Sequence, residues 1–160
     1  MAMDMFIKIG KLVGESTDSV HKDKIDVLAW SWGVSNSGTT HQGGGGGSGK
    51  ANFQDLNITK YIDKSSTELI SSAANGTHHP EALLIIRKSG GKAPIEYLKI
   101  KMEEVLISNF TTGGSGGEDR LTEHLTLNFA KVTVDYTPQK PDGTPDKTLN
   151  MTWDIAANVK

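Results

Sequence analysis

Apolar and polar residues alternate along most of this chain with a period of two, the period of a β-strand whose successive side chains point to opposite faces. In the first such run Met5, Ile7 and Ile9 share one face. From Ile25 to Val34, one face carries Leu28, Trp30, Trp32 and Val34, and the other carries the smaller Val27, Ala29 and Ser31. Aromatics opposite small residues predict a barrel wall with the Trp pair turned into the core and Ser31 turned away from it. Leu56 to Ile58 opens another short strand, and Ala82 to Lys88 a longer one. The run from Ile95 to Ser108 passes through Tyr97, Lys99, Lys101 and Glu103, which makes one of its faces wet. Between Leu121 and Thr137 the apolar phase moves from Leu125, Leu127 and Phe129 to Val132, Val134 and Tyr136. A one-residue change of phase predicts a β-bulge or barrel corner around Ala130 and Lys131. A final strand runs from Met151 to Ile155, after a polar loop containing Pro138, Pro141 and Pro145.

Only one segment carries a helix signal. Ser65-Ser-Thr-Glu68 has the spacing of a capping box, in which the Ser hydroxyl and Glu68 would each satisfy a free backbone N–H. Leu69, Ile70, Ala73 and Ala74 follow as an apolar stripe, and Asn75-Gly76 supplies a left-handed stop. The expected fold class is therefore mainly β: a single-domain β-barrel over residues 1–160 with one short α-helix covering a barrel end. No internal repeat and no second domain is evident.

Composition narrows the function. Hydrophobic residues make up 36% of 160, and the eighteen glycines, mostly in loops, account for much of that low value. Seventeen Lys and Arg are dispersed in a chain of net charge −2, with no clustered basic face to replace phosphate counterions, so nucleic acid is not an expected partner. No stretch approaches the ~18 apolar residues of a membrane-spanning helix, so no membrane insertion is expected. There is no cysteine, which excludes disulfides and thiolate metal sites. The start, Met1 to Gly10, alternates polar and apolar residues and lacks the basic-then-apolar form of a signal peptide. The expectation is synthesis in the cytoplasm and, if the protein is exported, a route that reads the folded chain.

No credible catalytic set appears. Gly44 to Lys50 matches G-x-x-x-x-G-K, but Ala51 stands where a phosphate-binding loop needs Ser or Thr, and no helix opens after it. His78, His79 and Glu81 could suggest metal ligands, yet adjacent strand residues point to opposite faces and Pro80 makes the pair a loop entry. Glu103-Glu104 and Glu118-Asp119 are sequence neighbours, which rarely span a glycosidase cleft. Glu118 and Asp119 are better read as ordering their loop by ion pairing with Arg120. Trp30 and Trp32 admit two readings: core residues, or a sugar-stacking platform in a monomeric carbohydrate-binding β domain.

Six segments stand out in one order: Asp4-Met-Phe-Ile-Lys-Ile-Gly10, Ile25-Asp-Val-Leu-Ala-Trp-Ser-Trp-Gly33, the poly-glycine loop ending Gly49-Lys50, Lys60-Tyr-Ile-Asp-Lys64, Ile86-Arg-Lys88 with Gly90-Gly91, and Thr112-Gly-Gly-Ser-Gly-Gly-Glu-Asp-Arg-Leu-Thr-Glu123. In these the chain resembles the haemolysin-coregulated (Hcp) family of type VI secretion proteins. Asn128-Phe-Ala130 and Val134-Asp-Tyr136 with Pro138-Gln139 complete the resemblance, which is weakest over Lys140 to Asn150 and around Met151. It implies a β-barrel that assembles as a hexameric ring, a homohexamer whose stacked rings form the secreted inner tube. Implied partners are a trimeric spike, a contractile sheath and small secreted effector proteins in the lumen. It implies no enzyme activity and no cofactor. On this reading Ser31 is the lumen-facing candidate, and Gly43, Gly44, Gly45, Gly46 and Gly47 are candidates for ring or subunit contacts.

Overall fold

The computed structural model describes residues 3–38, 48–88 and 93–160. In chain order their elements are β1 (Met3–Ile9), β2 (Ile25–Asp26), β3 (Ala29–Ser31), β4 (Val34–Gly38), β5 (Ser48–Phe53), β6 (Leu56–Tyr61), α1 (Ser66–Asn75), β7 (His78–Lys88), β8 (Ile95–Gly113), β9 (Thr122–Asn128), β10 (Lys131–Tyr136) and β11 (Leu149–Asp154). The fold is mainly β with one helix, as the alternation predicts.

Nine of the strands form one antiparallel sheet in the order β2-β1-β7-β8-β9-β6-β3, with β10 pairing both β8 and β11. Its two ends, β2 and β3, are not hydrogen-bonded to each other, which corrects the expectation of a closed barrel. The chain itself joins them: the Val27 N–H donates to the Met5 carbonyl at 2.9 Å, and the next N–H, of Leu28, donates to the Thr59 carbonyl at 2.8 Å. Changing partner strand at this step displaces the alternation by one residue. Val27 is consequently buried, whereas Leu28 (40% exposed) and Val34 (53%) stand outside. Simple alternation predicts the reverse for these residues. Trp30 and Trp32 are half-buried against the core, and Ser31 is exposed.

Inside the curled sheet the alternate residues of every long strand meet in one cluster that includes Ile7, Ile58, Leu84, Met102, Leu125 and Val132. Burial of such side chains, each worth roughly 1.5–3 kcal/mol, is the main stabilising term. Leu69 and Ala73 of α1 pack onto the cluster, while Ile70 is 48% exposed, so only part of the expected stripe faces inward. The helix ends at Gly76 (φ 70°), as the Asn-Gly pair predicts. Its start differs. The Ser65 side chain makes no cap bond to the helix. Instead the Asp63 carboxylate accepts from the Ser65 N–H at 2.8 Å, and the Ser66 hydroxyl accepts from the Asp63 N–H at 2.9 Å.

A second apolar layer lies on the outside of β1, β7 and β8, where Phe6, Ile85 and Ile95 are buried. The long segment between β1 and β2 covers part of it: the His21 ring sits 4.7 Å from that of Phe6. Arg87 clamps this segment, donating to Asp18 at 3.1 and 2.5 Å and to Asp4 at 2.9 Å. The bonds from Arg87 hold the Asp18 carboxyl well below the usual carboxylate range. The predicted corner near Ala130 is present: β9 pairs β8 up to Leu106↔Asn128, and β10 takes over at Lys131↔Glu103. Glu104, at φ 56°, bends β8 there.

Candidate assembly surface

Four strands present a face of short polar side chains to solvent. The register places Ser31 opposite Asn57, Asn57 opposite Thr126 and Thr126 opposite Asn109. A parallel row runs Ala29, Thr59, His124, Thr111. Leu56, Ile58, Leu125 and Leu127 occupy the alternate positions and are buried, so period-two alternation makes this face polar by construction. Two cross-strand hydrogen bonds fix it: Thr126 Oγ1 to Asn57 Oδ1 at 3.0 Å, and Thr59 Oγ1 with His124 Nδ1 at 3.0 Å.

Both sides of this four-strand face end on open edges. Among the described strands β3 pairs only with β6. On the far side β7 ends opposite Leu106, and beyond it the β8 residues up to Gly113 pair, among the described strands, with β9 alone. Unpaired edge groups are templates for another strand, and folded proteins ordinarily cover or blunt them.

A two-stranded ribbon, β4 with β5, projects from one end of the face and pairs with no other strand among the described residues. Every residue of Val34–Gly38 is exposed. Its base is anchored: Trp32 stacks on Phe53 at 6.0 Å, Phe53 meets Trp153 at 6.1 Å, and Trp32 Nε1 donates to the Gln54 carbonyl at 2.9 Å. Isolated hairpins are marginal in water, so an exposed ribbon on an aromatic base is suited to a partner surface. Gly49 and Lys50 belong to β5, a strand rather than the approach to a helix, which removes the context a phosphate-binding loop requires.

The face rests on a buried ionic cluster that the sequence reading missed. Lys60 and Glu123, both fully buried, form an ion pair between β6 and β9. Lys60 also donates to Asp63 at 3.0 Å, and the Ser66 hydroxyl to Glu123 at 2.9 Å, which ties the start of α1 to the sheet. The alternation assigns Lys60 to the apolar phase of β6, which is the one signal that could have exposed it.

Ser31, the predicted lumen residue, is exposed on the polar face. Gly43, Gly44, Gly45, Gly46 and Gly47, the predicted contact residues, lie outside the described residues. His78 and His79 belong to β7 and not to a loop entry; burial and the neighbouring His78 lower the pKa of His79. Among the described residues no group of three or more His, Asp or Glu side chains could hold a metal. Glu118 and Asp119 make no ion pair with Arg120, whose guanidinium lies 3.9 Å from the centre of the Tyr61 ring. Among the described residues no helix is long and apolar enough to cross a membrane.

Taken together, these features define a mainly β protein with two open sheet edges and an exposed ribbon, built around a polar sheet face. The sequence pattern of the family described as "Type VI secretion system effector, Hcp" matches residues 6–136. The chain belongs to this Hcp family of type VI secretion proteins. It is 59% identical to Protein hcp1 of Pseudomonas aeruginosa, over 100% of this chain and 99% of that protein. Among solved structures, a type six secretion system protein superposes with a TM-score of 0.92 at 34% identity, covering 98% of each chain. Hcp1 from Salmonella typhimurium gives 0.80 at 34% identity, covering 99% of each. A type VI secretion system effector from Yersinia pestis gives 0.78 at 36%, covering 95% of this chain and all of that one.

Proposed function

We propose that this chain is a structural subunit and not an enzyme: six copies close into a ring, and rings stack into the secreted inner tube of a type VI machine. The observation that carries this reading is the four-strand polar face with an open edge on each side. Joining the β3 edge of one copy to the free β8 edge of the next is a heterologous contact, and such contacts generate closed rings when the rotation per copy closes. The polar rows then line the lumen, with Ser31 at the seam between subunits. Short hydroxyl and amide groups offer hydrogen bonds without deep pockets, which suits transient carriage of small effector proteins. The β4–β5 ribbon, and the Gly43–Gly47 segment that joins its two strands in the sequence, contact a neighbouring subunit or ring. The spike at the tube tip and the surrounding sheath are the remaining partners, and the route out is the apparatus itself. Negative-stain electron microscopy tests the assembly: rings with an open centre are expected, and compact particles without a hole contradict it. Deleting Gly43–Gly47 is expected to impair stacking, and unchanged stacking excludes that role for the ribbon.

A further inference from the structure

A basic cleft of about 680 Å³ opens between the turn after β1 and the start of β7. Its floor is apolar, made by Leu12, Pro80 and Leu83, and its rim carries Lys8, Lys11 and Lys24. The one carboxylate in the lining, Glu81, is already paired with Lys101 at 3.6 Å. Lys8 and Lys11 have no ion-pair partner among the described residues, and the contact of Lys24 is a 2.7 Å hydrogen bond to His21 Nδ1. In a chain of net charge −2 this is a concentration of unneutralised positive charge over an apolar floor.

The same chain carries a segment of the opposite character. The β8–β9 turn from Gly113 is exposed throughout and ends in Glu118, Asp119, Arg120 and Leu121. Arg120 is held over the Tyr61 ring, and neither carboxylate is ion-paired among the described residues. Leu121 is 45% exposed beside them. Two unpaired carboxylates followed by a half-exposed leucine match the unpaired Lys8 and Lys11 and the His21-bonded Lys24 around an apolar floor.

The two features stand at different levels of the fold. His79 and Glu81, at the cleft, pair with β8 at Val105 and Glu103. The acidic turn begins at Gly113, roughly 26–33 Å of strand further on at about 3.3 Å per residue. That spacing does not let a turn fold back onto its own cleft, and it fits a contact between two copies related by translation along a stack.

We propose that the Glu118–Leu121 turn of one subunit docks in the Lys8–Lys11–Lys24 cleft of a subunit in the adjacent ring, with Leu121 on the apolar floor. This rests on the stacked-ring reading and assigns it a contact. Each pair is weak alone, but repetition around a ring multiplies the effect, so stacking remains reversible and falls as salt rises.

Carbodiimide cross-linking of a mixture of isotopically light and heavy protein tests the contact. Mixed-label cross-links from Lys8, Lys11 or Lys24 to Glu118 or Asp119 are expected. In parallel, the Lys8→Glu/Lys11→Glu variant is expected to keep the ring mass and to need about tenfold more protein for half-maximal stacking. Adding Glu118→Lys and Asp119→Lys to that variant is expected to restore stacking. Stacked rings without the mixed-label cross-link, or a charge reversal that leaves stacking unchanged, overturn the proposal. A chain that forms no ring overturns the tube reading as well, and the ring mass distinguishes the two failures.

Discussion

Lys60 and Glu123, sixty-three residues apart in sequence, form an ion pair from which solvent is wholly excluded. The attraction of a buried pair only offsets what both ions lose by leaving water, whereas removing one partner strands the other's charge. The Lys60→Met variant is therefore expected to lose about 3–5 kcal/mol in urea unfolding. The double variant Lys60→Met/Glu123→Leu is expected to recover most of that loss. A single variant as stable as the parent excludes the ionic account.

The Arg87 clamp predicts an acid response. Asp18 is held well below its ordinary value of 3.8, chiefly by its hydrogen bond from Arg87. A carboxylate depressed in the folded state stabilises fully above its unfolded value, and that stabilisation is lost as pH falls through the folded one. Thermal unfolding of the parent and of Asp18→Asn should therefore differ most at pH 6, and the gap should close as pH is lowered below about 4. A gap independent of pH contradicts the clamp.

Much of the fold is legible in alternation, and the failures have identifiable causes. The Phe129-to-Val132 phase change is a local event, and it marks the real corner opposite Glu104. The slip at Val27 and Leu28 arises because the chain leaves β1 for β6 there, and nothing within ten residues announces a change of partner. Ser65 looks like a cap by spacing, but Asp63 captures its N–H and its hydroxyl first. The polar face could be read from Asn57, Thr59, His124 and Thr126 alternating with buried leucine and isoleucine. The Lys60–Glu123 contact could not, since only the register of β6 on β9 brings those residues together.

Two glycines separate backbone strain from steric exclusion. Gly76 sits at φ 70° with open space around the position of a Cβ, so Gly76→Ala is expected to cost about 1 kcal/mol in chemical denaturation. At Gly14 a Cβ would lie 2.4 Å from the Lys24 carbonyl oxygen and 2.7 Å from Ile25 Cα. Both are backbone atoms and cannot turn aside. Gly14→Ala is expected to be the more damaging change and to release the segment covering Phe6, seen as faster amide exchange at Val27. Equal effects of the two substitutions contradict this account.

Ser31 separates folding from carriage. Its side chain is exposed, so Ser31→Glu is expected to change unfolding free energy by no more than about 0.5 kcal/mol. On the lumen reading the same substitution, repeated around the ring, reduces co-purification of a small secreted protein. Carriage that is indifferent to Ser31→Glu places the cargo surface elsewhere.

The most direct test of the assembly is the solution mass of the purified protein, measured by light scattering across a wide concentration range. The account predicts a particle about six times the 17.2 kDa chain, persisting on dilution and joined by heavier stacks as concentration rises. A strict monomer at every concentration, with β3 and the far half of β8 left as open edges, would contradict it.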